Sequence, residues 1–112
     1  MIRKESLERV GGYREVDWPE DYDLWMRMAQ SGRRFGKLPQ VLLCWRDRPE
    51  RASRSDPRFS VERFLDLKEH YLLETFLAGR PPVAVWGAGP TGKGWALRLR
   101  RRGVEVRHFV EV

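Results

Sequence analysis

Disulfide chemistry has no material here. Cys44 is the only cysteine in 112 residues, which excludes an internal disulfide framework and fits a reducing compartment. It lies in the apolar run Val41-Leu42-Leu43-Cys44-Trp45, where a small buried thiol is expected rather than a reactive one. No apolar run approaches the ~18 residues of a membrane span, and Met1-Ile-Arg-Lys-Glu leads into no signal-peptide core. These absences point to a soluble, cytoplasmic protein. Internal repeats and low-complexity tracts are also missing. Lysine is scarce, at 4 residues against 18 arginines, a balance that suits anion-binding forks or reflects genomic base composition.

What is present is globular in composition: 41% hydrophobic and 12% aromatic residues, with five Trp, are too many for a disordered chain. The net charge of +6 raises a nucleic-acid partner, but its distribution argues against one. Residues 1–80 carry 16 basic and 14 acidic side chains, and residues 81–112 carry 6 and 2. The excess therefore sits mainly on Arg98, Arg100, Arg101 and Arg102 of one helix rather than on a basic patch.

Along the chain, Ile2–Tyr13 reads as a short helix with Leu7 and Val10 on one face, stopped by Gly11-Gly12, since glycine takes the left-handed conformation without penalty. Asp17-Trp-Pro-Glu20 resembles a capping box, and the next helix runs to Ser31-Gly32. Gln40–Arg46 is the best strand candidate of the first part. Residues 47–58, with two prolines and four arginines, read as a loop. A long helix is expected from Ser60 to Ala78, with Val61, Phe64, Leu65, Leu72 and Phe76 at helical spacing. Gly79-Arg-Pro-Pro82 ends it and suits a domain boundary.

The second helix poses a problem. At about 100° per residue, Tyr22, Leu24, Trp25, Met26, Met28 and Ala29 form a broad apolar arc, with Glu20, Asp23, Arg27 and Gln30 opposite. Asp21 falls among the apolar residues. Acids in a first turn gain roughly 0.3–1 kcal/mol from the macrodipole, which accounts for Glu20, Asp21 and Asp23 at a helix start but not for one on the apolar face. A buried carboxylate must be paired, hydrogen-bonded or facing a cleft, and an acid so held is positioned as a general base.

Residues 2–55 resemble the C-terminal, acceptor-side half of the catalytic domain of family-2 glycosyltransferases, nucleotide-diphospho-sugar transferases of GT-A fold. The likeness rests on an arginine-rich helix start, the turn Gly11-Gly12-Tyr13, and the acidic helix opening E-D-x-x-L-W-x-R at Glu20–Arg27. A leucine–proline to aromatic–arginine segment follows, from Leu38-Pro39 to Trp45-Arg46. The resemblance implies transfer of a sugar from a nucleoside-diphosphate donor to a glycan or lipid-linked acceptor, with inversion. Asp21 takes the role of base, Glu20 supports the acceptor site, and Trp25, Arg46 and Arg48 contact substrate. The donor-binding half, whose Asp-x-Asp holds Mg²⁺ or Mn²⁺, has no counterpart here, so a divalent metal is expected only in a full-length enzyme and the isolated piece is expected to be inactive. Where many members have R-x-H-P, this chain has Arg46-Asp47-Arg48-Pro49. Arginine can hold a diphosphate but cannot ligate a metal. Arg48, Arg51 and Arg54 are then donor-phosphate contacts or members of an ordinary solvated loop.

The tail changes character. Val83–Trp86 reads as a strand, Gly87-Ala88-Gly89-Pro90-Thr91-Gly92 as a glycine loop, Lys93–Arg102 as a helix capped by Gly103, and Val104–Val112 as a second strand: one βαβ unit. The loop fits G-x-G-x-x-G in the context that gives the motif meaning. A P-loop frame fits less well, because Gly94 stands where Ser or Thr should ligate Mg²⁺. Gly92 shares a face with Trp95, Ala96 and Leu99, allowing close packing on the strand. Glu111 ends the second strand near the place of a ribose-binding acid. Gly87, Gly89, Gly92 and Glu111 are thus candidate contacts to NAD(P) or a nucleotide-sugar, unless the glycines merely pack the unit. The segment resembles the first βαβ of Rossmann-type domains.

The expected fold is α/β: residues 1–79 a mostly helical fragment of a GT-A domain with a short strand, residues 80–112 the start of a Rossmann-like domain. Two parallel strands and one helix cannot cover both faces of a sheet. The chain therefore reads as cut inside a domain, with self-association of the isolated piece expected through its exposed apolar surface. The other reading is a non-catalytic nucleotide-binding or interaction module.

Overall fold

The computed structural model describes residues 2–46 and 48–111. It is a mixed α/β chain in two compact units, residues 1–67 and 68–112. The division falls inside a helix rather than at the Gly79-Arg80 break. Among the described residues no helix is long and apolar enough to cross a membrane.

The N-terminal unit opens with α1 (Lys4–Arg9) and α2 (Glu20–Gln30), followed by α3 (Ala52–Ser55), a 3-10 turn at Pro57–Phe59, and the first part of α4 (Val61–Glu74). Glycine ends both early helices by the same device. After α1, Gly11 N–H donates to Glu8 O and Gly12 N–H to Leu7 O, each at 3.0 Å. After α2, Gly32 N–H donates to Ala29 O and Arg33 N–H to Met28 O, each at 3.0 Å. Gly11, Gly12 and Gly32 have φ of 77°, 67° and 74°, the left-handed turn of a Schellman cap. Leu24, Met28, Leu67 and Pro19 are buried in this unit.

Several expectations fail here. The N-cap of α2 is Pro19, without a side-chain cap bond, so the Asp17–Glu20 capping box does not form. Residues 41–46 have no regular structure, and Val41, Leu42, Leu43 and Trp45 are 87%, 64%, 73% and 72% exposed. Cys44 is exposed with them. A strand needs a neighbour for its backbone groups, and among the described residues nothing pairs with this one. The stretch read as a loop at 47–58 instead holds α3, and the 3-10 turn is capped by Asp56, which accepts from Arg58 N–H at 2.9 Å. Val61 and Phe76, two of the apolar residues at helical spacing, are exposed. The helix stops at Glu74, short of the expected Ala78, so Phe76 lies in turns beyond it.

The C-terminal unit is the βαβ expected: β1 (Val83–Trp86), α5 (Pro90–Arg101), β2 (Val106–Val110). The strands are parallel, with Val85 opposite Phe109 and Trp86 opposite Val110. β2 is shorter than the expected span, whose last residue, Val112, lies outside the described residues. Leu77, Ala96, Leu99, Val104 and Val106 form the core, with Leu72, Leu73, Val83, Val85 and Trp95 packed against it. Gly103 (φ 79°) closes α5 as a third Schellman cap, and the accompanying apolar pair, Leu99 and Val104, is 5% and 1% exposed. Arg80 takes φ 52° while its guanidinium donates to the carbonyls of Leu77, Leu73 and Arg102. It ties the turn after α4 to the end of α5. Trp86 on β1 stays 75% exposed.

Candidate functional site

Three acids open α2, and the structure gives each a different partner. Asp23 is 2% exposed; its Oδ2 accepts from Arg27 Nε at 2.8 Å and its Oδ1 from Trp18 Nε1 at 3.2 Å. Arg27 donates further to Gly12 O at 2.7 Å and to Val10 O, carbonyls exposed where α1 ends. Glu20 is half-buried and its Oε2 lies 3.5 Å from Arg58 Nη1. Asp21 is half-buried, and its Oδ1 accepts from Tyr22 N–H at 2.8 Å. Among the described residues Asp21 forms no ion pair.

The wheel thus fails at several positions, Trp25 and Ala29 of its apolar arc being exposed. Asp23 and Arg27, read as solvent-facing, are the buried polar pair, and Asp21 is only partly covered. The i,i+4 spacing of acid before base was the available signal. It does not reveal that the α1 turn would supply carbonyls to complete the guanidinium's hydrogen bonds.

Arg58 also grips Asp56 through Nη2–Oδ2 at 2.6 Å. The side-chain hydrogen bond from Arg58, then its backbone one, hold the Asp56 carboxyl below the ordinary aspartate value. The same carboxylate raises the Arg58 guanidinium.

Trp25 is 41% exposed and packs at 4.9 Å against Tyr22 with the rings tilted by 46°, and Tyr22 meets Phe64 edge-on at 4.9 Å. It lines a cleft of about 580 Å³ together with Arg3, Ser6, Arg33, Arg34 and Phe35. Asp21 does not line that cleft. Arg46 and Arg48 are exposed in irregular chain, and no described ion pair joins either to α2. Asp47 between them lies outside the described residues. Arg51 sits over the Trp45 ring at 4.4 Å, a cation–π contact that the sequence reading did not find. The candidate catalytic acids and the candidate arginines are therefore not drawn into one constellation by any described bond.

In the C-terminal unit the glycine loop has a clear geometry. Gly87 takes φ 95° and its N–H donates to Val110 O at 2.7 Å. This extends the sheet ladder and brings the loop beside Glu111, which is exposed just past β2. Gly89 is the extended N-cap of α5 and Pro90 its first residue, where a missing N–H costs nothing. Gly92 is buried, and a Cβ there would overlap the Gly87 carbonyl oxygen and lie 3.3 Å from Val85 Cγ1. Helix and strand approach as closely as they do because that position has no side chain. Across the unit, Glu69 accepts from Arg98 at 2.8 Å and from Arg102, a cluster that the sequence reading also missed.

Among the described residues no group of three or more His, Cys, Asp or Glu is placed to hold a metal ion. No family model, curated protein or solved structure matches the chain.

Proposed function

We propose that residues 1–79 are the acceptor-side part of a GT-A, family-2 glycosyltransferase domain, joined to the start of a Rossmann-like domain. The enzyme would move a sugar from a nucleoside-diphosphate donor to a glycan or lipid-linked acceptor. The observation that carries this reading is the division of labour among the acids of α2. Asp23 is spent on Arg27 and Glu20 faces Arg58, which leaves Asp21 as the acid without a cationic partner, held by a backbone N–H at a helix start. Arg27 also pulls the Gly11-Gly12 turn onto the same helix, so two separate pieces of the sequence likeness meet at one bonded centre.

In the reaction proposed, the acceptor oxygen attacks the anomeric carbon as the bond to the diphosphate breaks, and Asp21 takes the hydroxyl proton. Alcohols are poor nucleophiles unless a base accepts that proton. Glu20 and Trp25 border the acceptor, and Arg46 and Arg48 meet donor phosphates. A divalent Mg²⁺ or Mn²⁺ would bind in a donor half, neutralising the leaving diphosphate. The test is Asp21→Asn in an enzyme containing both halves: kcat is expected to fall about 100-fold or more, with KM little changed. Wild-type turnover overturns the assignment.

A second reading rests on Gly92. A glycine forced by helix–strand contact, within the first turn of a helix whose leading N–H groups are free, is the arrangement that accepts a pyrophosphate. The C-terminal unit would then bind NAD(P) or a nucleotide-sugar without chemistry, with Glu111 at the ribose. Titration of the chain with NAD(H), NADP(H) and UDP-sugars decides it; absence of saturable binding removes the cofactor.

A further inference from the structure

The cleft on the N-terminal unit is charged in one sense. Arg3, Arg33 and Arg34 line it, no acid among the described residues does, and Ser6 adds a hydroxyl. Arg33 Nε is buried without a hydrogen-bond partner, although a buried donor left unmet costs about 1–3 kcal/mol and more in a charged group. Opposite in character are Trp25 and Phe35, 41% and 62% exposed. Trp25 is braced by Tyr22 at 4.9 Å.

We propose that this cleft binds a small-molecule phosphate ester of an aromatic alcohol. Guanidinium forks match phosphate oxygens two at a time, and a dianion answers several arginines where a carboxylate would answer one. A phosphate beside the Arg33 guanidinium offsets the charge of a group whose buried Nε has no acceptor of its own. The apolar body is required by size: about 580 Å³ is the volume of a site for a substantial organic ligand, and a bare phosphate would leave Trp25 and Phe35 wet. The proposal uses neither Asp21 nor the glycine loop; it shares Trp25 with the sugar-transfer reading, but its arginines and its test are independent of sugar transfer.

The probes are phenyl phosphate, phenol and inorganic phosphate, titrated into the 112-residue chain by calorimetry. Phenyl phosphate is expected to saturate, about tenfold or more tighter than either half alone, and to weaken as salt rises. Arg33→Gln is expected to lower its affinity at least about tenfold, the weight of one charged hydrogen bond. Arg34→Gln, at an exposed position that cannot disturb folding, is expected to lower it severalfold, and Arg63→Gln on α4 to leave it unchanged. Circular dichroism checks each variant. No saturation, equal binding of phenol and phenyl phosphate, or unaltered affinity in both Arg33→Gln and Arg34→Gln overturns the proposal. If Arg33→Gln fails to fold, Arg34→Gln alone decides.

Discussion

Asp23 and Arg27 pair at 2.8 Å one turn apart on α2, with their side chains 3% and 7% exposed. Around this pair the N-terminal unit is organised. The carboxylate is held on its other side by the Trp18 indole, and the guanidinium reaches across to the carbonyls of Val10 and Gly12. A buried ion pair earns little net stability by existing, because both charges lose water. Breaking it is a different matter.

Arg27→Met takes the guanidinium from a buried carboxylate and from two carbonyls at once. The expected cost is about 3–5 kcal/mol, a large share of the stability of a unit of this size. Asp23→Leu combined with Arg27→Met is expected to be less damaging than Arg27→Met alone, since no charge is left behind. Urea midpoints of the two variants check the order.

Two glycines of α5 should respond in opposite directions. Gly94 faces open space within the helix, so Gly94→Ala is expected to stabilise by about 0.5–1 kcal/mol through helix propensity and reduced unfolded-state freedom. Gly92→Ala drives a methyl into the Gly87 carbonyl and is expected to destabilise by about 1–3 kcal/mol. Thermal melts of both, side by side, would contradict the βαβ packing if they moved together.

Glu69 is expected to contribute to the acid limit of the C-terminal unit. Burial pushes its carboxyl up, but hydrogen bonds and charge from Arg102 and Arg98 together outweigh burial and leave it below the ordinary value of 4.5. The unfolded chain then binds the proton more readily, so this contribution is present above about pH 4.5 and lost as pH falls through the folded value. Denaturation midpoints between pH 3 and 7 should decline on the acid side, and Glu69→Gln should flatten that decline. An identical acid limb in the variant would remove Glu69 from the account.

Cys44 is exposed, against the expectation of a buried thiol. A disulfide reagent added to the native chain should label it at close to the rate seen in denaturant. Strong protection, relieved only on unfolding, would mean that the run Val41–Trp45 is covered.

The C-terminal unit was legible because its cues are local. Val83–Trp86 is a short apolar run, Gly87 and Gly92 punctuate at fixed spacing, and Gly103 closes the helix, so each residue's conformational preference agreed with the element it entered. The same holds for the Gly11-Gly12 and Gly32 stops. Residues 41–46 show the opposite case. Their apolar character reads as a strand, yet a strand exists only with a neighbour to accept its hydrogen bonds. The candidate site was legible in part: Glu20 and Asp21 were found as an acidic helix start, while the burial of Asp23 and the cleft around Arg33 were not.

By itself the sequence determined where α1, α2 and α5 stop, where the glycine loop lies and which residues carry charge, because turn chemistry and backbone freedom are properties of single residues and their nearest neighbours. Only the tertiary structure decided which charges are buried. An acid and a base on a polar helix face become interior when another segment brings carbonyls to the guanidinium, and desolvation is set by that meeting rather than by position on a wheel.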